Sequence, residues 1–228
     1  MHSKHTALVL LSGGLDSSVL LHHVHQSNNY GSIQALGYNY GQRHLRELDC
    51  AHAQVDMLPQ GRLKILDISF MGGLLAEGTS LVSEGAEVPD LESLSEDDLV
   101  QPPTYVPNRN MMLLSIAAAY AEAEGIRDIY YGAQAHDEYG YWDCTEEFLT
   151  LINAVLSLNR KDAITVHAPF VGMKKNELVT RGLELGVNFA RTWSCYRGGE
   201  NPCETCPTCV ERSNAFRDAG ESDPLLKF

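Results

Sequence analysis

Ala7-Leu8-Val9-Leu10-Leu11-Ser12-Gly13-Gly14-Leu15-Asp16-Ser17-Ser18 is the stretch that decides the fold. Five apolar residues in a row, 7–11, read as a short strand covered on both faces. The run breaks at a serine and two glycines, and from Asp16 an amphipathic pattern continues to Gln26 as a helix. Strand, glycine turn and helix start make an anion cradle. Adjacent glycines let the backbone approach a ligand, the hydroxyls of Ser12, Ser17 and Ser18 add donors, and the helix presents its positive dipole end. The segment from Leu11 through Leu15 to Ser18 is therefore expected to hold a pyrophosphate. It is neither of the two commoner phosphate loops: no Lys follows the glycines and no third glycine completes a dinucleotide turn.

Outward from this stretch the chain alternates. Strands are expected at 33–38 and 63–68 and helices at 16–26 and 43–58, a spacing that implies parallel strands joined by right-handed crossovers. The fold class is thus α/β, a doubly wound parallel sheet. Residues 77–107 are rich in Gly, Ser, Pro and acids, and no Lys or Arg stands between Lys64 and Arg109. This segment reads as a lid or as a solvated insertion. A long Ala-rich helix follows at 110–124, then a strand at 126–132, a helix at 146–158, a strand at 164–170, and a helix at 174–186 with Gly186 at its C-terminal cap.

With 228 residues and 44% hydrophobic content, the chain suits one main domain with a small appended module. No apolar run approaches a membrane span, and the N-terminus enters the first strand with no room for a signal peptide, so a cytoplasmic protein is expected. A net charge of −13 argues against direct binding of a nucleic-acid backbone, yet permits a small anion held by amides.

Cys195-x7-Cys203-x2-Cys206-x2-Cys209 is the second strong signal. Four thiolates on tight turns suit one tetrahedral Zn(II), and a full protein shell makes that zinc structural. An iron–sulfur cluster is the rival for the same four residues. Cys50 is expected in the core. Histidines 22, 23 and 25 are expected on the surface or in the core of the first helix rather than as ligands.

Other segments fall where a doubly wound sheet binds ligands, beyond the carboxyl ends of its strands. Tyr38-Asn39-Tyr40-Gly41-Gln42-Arg43-His44 is either part of that edge or an ordinary connection. Arg109 heads a helix whose dipole opposes it, which suggests a neighbouring anion such as a phosphate. The loop from Gly132 to Cys144 gathers His136, Asp137, Tyr139, Tyr141, Trp142 and Asp143. Its rings can stack on a heterocyclic base, while Asp137 or Asp143 can accept from the base or hold Mg(II). Lys175 stands in the first turn of its helix, within reach of a phosphate or exposed to solvent.

These pieces together resemble the 7-cyano-7-deazaguanine synthase (QueC) family of the N-type ATP pyrophosphatases. The resemblance rests on 12–17, Tyr40-Gly41-Gln42-Arg43-His44, Val106-Pro107-x-Arg109-Asn110, Gly140-Tyr141-x-Asp143-Cys144, Lys175-x-Glu177, and Thr192-Trp193-Ser194-Cys195-Tyr196-x-Gly198-Gly199 with the later cysteines. It implies a sheet of the adenine nucleotide alpha hydrolase-like type at 1–190, a lid at 77–108 and a zinc module at 191–228. It further implies ATP and Mg2+ as cofactors beside structural Zn2+, and conversion of 7-carboxy-7-deazaguanine and ammonia to the nitrile through two adenylations. Asp16, Ser17, Arg109 and Lys175 take catalytic roles. Leu11 to Ser18, Tyr38, Gln42, Arg109 and Gly132 take ATP, and Arg43, His136, Asp137, Tyr141, Trp142 and Asp143 take the substrate. A homodimer is implied as well.

Four positions depart from the family pattern: Asn108, His136, Trp142 and Thr145. All lie in or near the expected substrate pocket. A QueC-like ligase that joins the acid to a protein amine, as in phage defence, is the alternative those departures raise. A non-catalytic zinc module that binds nucleotide or RNA is a third reading, disfavoured by the charge.

Overall fold

In the first strand, β1 (Thr6–Leu10), Ala7, Leu8 and Val9 are all fully buried, so both of its faces carry core. That is possible only at the centre of a sheet with helices on both sides. The computed structural model, which describes residues 5–27, 29–43, 45–95, 98, 101–134, 141–161 and 163–226, has this architecture. Its five strands are β1, β2 (Ser32–Asn39), β3 (Gly61–Asp67), β4 (Asp128–Tyr130) and β5 (Thr165–His167), all parallel, in the order β3-β2-β1-β4-β5. Val9 pairs with Ala35 on one side and Tyr130 on the other. The strand order reverses between β1 and β4, where a doubly wound sheet opens a crevice.

One face is covered by α1 (Leu15–Gln26), α2 (Arg46–Val55) and α6 (Lys175–Glu184), which close over Ala7, Val9, Ile33 and Ala35. The other is covered by α4 (Arg109–Glu124) and α5 (Glu146–Leu156), packed on Leu8, Leu36 and Ile129. Gly125 ends α4 in the left-handed region, a conformation glycine adopts without strain. Gly186 sits one residue past the cap of α6 with φ +74°, as its place at the helix end requires.

Some boundaries differ from the sequence pattern. The first helix starts at Leu15, with Gly14 as its cap. The second starts at Arg46, not at 43, because residue 43 is held elsewhere: its amide donates to the Leu81 carbonyl. Strands β4 and β5 are three residues each, shorter than their apolar runs, since pairing stops where the chain turns into the crevice.

A short helix, α3 (Met71–Leu75), leads into the acidic segment. Ser80, Leu81 and Val82 are buried, and Val82 bridges Gln42. Two arginines fasten the segment. Arg43 donates to the carbonyls of Ser80 (2.8 Å), Gly85 (2.6 Å) and Ala86, and Arg197 donates to Val88 O (2.9 Å) and pairs with Asp90 (2.9 Å). The last helix, α7 (Pro207–Asp218), places Ala215 and Phe216 in the core beneath α1 and α6.

Candidate active site and thiolate cluster

The phosphate-loop segment sits at the carboxyl end of β1. Gly14 caps α1 in an extended conformation, and its carbonyl accepts the Ser18 amide and the Ser18 hydroxyl (2.7 Å). The first helical hydrogen bond begins at Ser18, so the amides of Leu15, Asp16 and Ser17 are the donors a helix start leaves without intrahelical acceptors. The Ser12 and Ser17 hydroxyls bond each other at 3.0 Å and bracket these amides. Gly13 has φ +88°, and a Cβ there would lie 1.9 Å from the Glu47 carbonyl oxygen. Its missing side chain makes room for α2 rather than for a ligand, and Gly13 is not in the cleft wall.

A cleft of about 290 Å³ opens over this loop. Leu11, Ser12, Gly14, Leu15, Asp16 and Ser17 form its floor, and Tyr38, Gln42, Arg109, Gly132, Tyr141, Asp143 and Lys175 also line it. It therefore gathers residues from β1, β2, α4, the end of β4 and α6, far apart in the chain. Ser18 is buried beneath the floor. Arg43 is not brought to the cleft, since its guanidinium is spent on the carbonyls of the 80–86 segment. Trp142 is also outside the wall: it donates to the Tyr105 hydroxyl at 2.9 Å and stands edge-on to Phe148. His136 and Asp137 lie outside the described residues.

Electrostatics divide the cleft into two centres. At the first, Lys175 Nζ lies 2.9 Å from Asp16 Oδ2 and 3.5 Å from Glu211 Oε1. Asp16 Oδ1 is buried with no hydrogen-bond partner among the described residues, an acceptor left open beside the helix start. At the second, Arg109 stands between Tyr40, Asp143, Tyr196 and Glu47. Burial opposes its charge, but the Tyr40 and Tyr196 hydroxyls and the Asp143 carboxylate outweigh that and hold the guanidinium protonated. Asp143 is 3% exposed; burial raises its carboxyl above the usual range while Arg109 and the Asn110 amide (3.3 Å) pull it back. Glu47, in the first turn of α2, is raised further, to about 7, by burial against the attraction of Arg109.

Glu47, Glu211 and Tyr105 line the cleft and were not singled out by sequence, while Tyr40 lies there within the segment that was. In sequence, Glu47 and Glu211 are ordinary helical charges. Their position in the cleft comes from the way α2 and α7 pack, which no local pattern announces.

Thiolates of Cys195, Cys203, Cys206 and Cys209 all lie within 4.8 Å of one another. A tetrahedral zinc with Zn–S bonds of about 2.3 Å needs sulfurs about 3.8 Å apart, so the four fit one ion. The charge state agrees. S–H groups of Cys195 and Cys209 donate toward Cys206 and pull its thiol down, while those bonds push Cys195 and Cys209 up. Cys203 Sγ accepts the Cys206 amide at 3.3 Å beside these three, and metal binding would displace the thiol protons. Cys50 is half-buried against this cluster, and its thiol is pushed up by burial to about 11. His22 is buried and bonded to Gln54 (3.0 Å), in keeping with a core role.

A central parallel sheet with a phosphate cradle at the end of its first strand, in the crevice where strand order reverses, is the architecture of an ATP-using enzyme of the pyrophosphatase-loop type. Solved structures agree on the fold. A 4-thiouridine synthetase bound to RNA and ATP aligns with TM-score 0.55 at 19% identity, covering 95% of this chain and 51% of that one. The U34-tRNA thiolase NcsA of Methanococcus maripaludis, which carries a [4Fe-4S] cluster, aligns with TM-score 0.52 at 14% identity, covering 96% and 67%. The family model described as "Queuosine biosynthesis protein QueC" matches residues 6–220. The 7-cyano-7-deazaguanine synthase of Caldicellulosiruptor bescii is 43% identical over 219 residues, 96% of each chain. That of Archaeoglobus fulgidus is 43% identical over 221 residues, 96% of this chain and 89% of its own. This chain belongs to the QueC family.

Proposed function

We propose that the chain is an ATP-dependent 7-cyano-7-deazaguanine synthase. It adenylates the carboxylate of 7-carboxy-7-deazaguanine, accepts ammonia to form the amide, then adenylates the amide oxygen and releases the nitrile, with AMP and pyrophosphate formed at each adenylation. The observation that carries the reading is the match over 96% of the chain to relatives that bear this name, with the cleft built from segments spread along that whole length.

The cleft suits the chemistry. Pyrophosphate leaves toward the α1 amides of Leu15, Asp16 and Ser17, where the helix dipole favours an anion. Lys175, aimed by Asp16 and Glu211, adds a cation at the same end. Arg109 supplies a second fixed cation, and a preorganised charge stabilises developing negative charge without reorganisation. Tyr38, Gln42 and Gly132 flank the nucleotide, while Tyr141 and Asp143 face the heterocycle. Mg2+ bound with ATP lowers the repulsion between triphosphate and carboxylate. The four cysteines hold the structural zinc and take no part in the reaction. The reading includes an active homodimer in the cytoplasm, a division at 190/191, and a lid role for 77–108.

Incubation of the protein with ATP, Mg2+, the deazaguanine acid and ammonium chloride, with products weighed by mass spectrometry, tests it. The nitrile with AMP and pyrophosphate is expected. A reaction that stops at the amide, or that adds the acid's mass to a protein, overturns the synthase assignment. Absence of AMP and pyrophosphate overturns the enzyme assignment altogether.

A further inference from the structure

Four carboxylates line the cleft, and three are tied. Asp16 and Glu211 hold Lys175, and Asp143 accepts the Asn110 amide. Glu47 is different: its carboxylate accepts no hydrogen bond from a described residue, yet its backbone is fixed. The Glu47 carbonyl packs directly against Gly13 of the phosphate loop, so the first turn of α2 cannot slide along the site. The groups that face it are Arg109 from α4, the Tyr40 hydroxyl after β2, and Cys50 one turn along α2. Arg109 bridges the Glu47 side and the Asp143 side of the cleft, between the phosphate floor and the wall that faces the heterocycle. On the synthase reading, that leaves a free acceptor between the floor assigned to pyrophosphate and the wall assigned to the heterocycle.

We propose that Glu47 is the catalytic base that removes protons from the substrate nitrogen, a role that rests on the synthase reading. In the first stage the ammonia lone pair forms the C–N bond, and the bond from the acyl carbon to the adenylyl oxygen breaks with its electron pair on AMP. One N–H proton then passes to the Glu47 carboxylate. In the second stage the amide oxygen attacks the α-phosphorus of another ATP and pyrophosphate leaves. Two N–H protons leave in turn through Glu47 to solvent as the C–O bond breaks onto AMP, and their bonding electrons complete C≡N. A base must be ionised part of the time and basic enough to take a proton, and burial places Glu47 in that range at neutral pH. Arg109 keeps the ionised form accessible, since without it burial would hold the acid protonated.

Glu47→Gln keeps the side-chain shape and removes the base. ATP–pyrophosphate exchange driven by the deazaguanine acid without ammonia needs no proton from nitrogen, so it should fall far less than nitrile formation, and a wild-type-like thermal melt of the same variant reports an intact fold. Amide and nitrile formation in the same variant should fall about 100-fold or more. The wild-type rate of nitrile formation should rise as pH passes through about 7, and this limb should vanish in Glu47→Gln while Glu47→Asp retains part of it. A variant with exchange intact and nitrile formation unchanged overturns the assignment, as does loss of exchange and nitrile formation together, which would mark a structural role. A wild-type protein that makes no nitrile instead overturns the synthase reading, a distinct outcome.

Discussion

Gly13 shows how one residue sets the site without touching a ligand. It sits in the left-handed region, and a methyl group there would collide with the Glu47 carbonyl oxygen at 1.9 Å and the Ala51 amide at 2.7 Å, both backbone atoms of α2. The adjacent Gly14 has a negative φ, and the nearest atom to an added Cβ is the Ser12 hydroxyl at 3.2 Å, which can rotate. The two glycines therefore differ in what they tolerate. Gly13→Ala adds left-handed strain of about 1–2 kcal/mol and overpacking of about 1–3 kcal/mol. For a chain of this size that lowers the melting temperature by roughly 5–15 °C. Gly14→Ala should stay within about 1 kcal/mol of wild type. Thermal unfolding of both variants checks this; equal melting temperatures would show that α2 does not bear on the loop. The glycine pair was legible in the sequence, but its division of labour was not, because the atom that forbids a side chain lies 34 residues away.

At the scale of elements, α7 is tied down by a charged pair rather than by an apolar stripe. Arg212 and Asp223 are 4% and 8% exposed and meet in a two-point contact, Nε to Oδ2 at 2.6 Å and Nη2 to Oδ1 at 2.9 Å. The remaining guanidinium hydrogens go to Thr192 Oγ1 (2.8 Å) and the Phe189 carbonyl (3.0 Å), so one side chain joins α7 to the 189–192 turn and to the turn at Asp223. Asp223→Ala leaves that guanidinium buried without its counter-charge and should cost about 3–5 kcal/mol by urea unfolding. Replacing both residues, Arg212→Met with Asp223→Leu, should cost much less, because no buried charge is orphaned. A single variant as stable as the double would refute the argument. This helix is also the element the sequence did not announce. Its inward positions are Cys209, Arg212, Ala215 and Phe216, a face whose central residue is charged, so an apolar period has nothing to count. The parallel strands were legible for the opposite reason: Ala7, Val9, Ile33 and Ala35 face one layer, with Leu8 and Leu36 facing the other, so both faces carry the signal. Arg43, expected at the substrate, donates to the carbonyls of Ser80, Gly85 and Ala86, contacts across the fold that no local pattern announces.

Across the whole molecule the thiolate cluster and the nucleotide loop are one mechanical unit. Trp193, Ser194 and Tyr196 line the cleft on either side of Cys195, and the Trp193 amide donates to the Gly13 carbonyl at 3.0 Å. Arg46 lies over the Trp193 ring at 4.2 Å and donates to the Gly199 carbonyl (3.2 Å), so α2 grips the same turn. Trp193, Cys195, Cys206 and Cys209 share an apolar cluster with Leu81, Val88 and Val106 of the acidic segment. Metal held by the four sulfurs therefore fixes two walls of the cleft. Removing it by a strong chelator should lower stability by about 4 kcal/mol at a metal concentration once a thousandfold above its dissociation constant. That corresponds to a fall of roughly 10 °C in melting temperature. Because the Trp193 amide and the Gly13 carbonyl move together, ATP affinity should weaken in the same titration, and metal added back should restore both. Were chelation to lower the melting temperature while ATP bound as before, the cluster would be a separate knot of structure, and the continuity of cysteine turn, tryptophan and phosphate loop would carry no force between them.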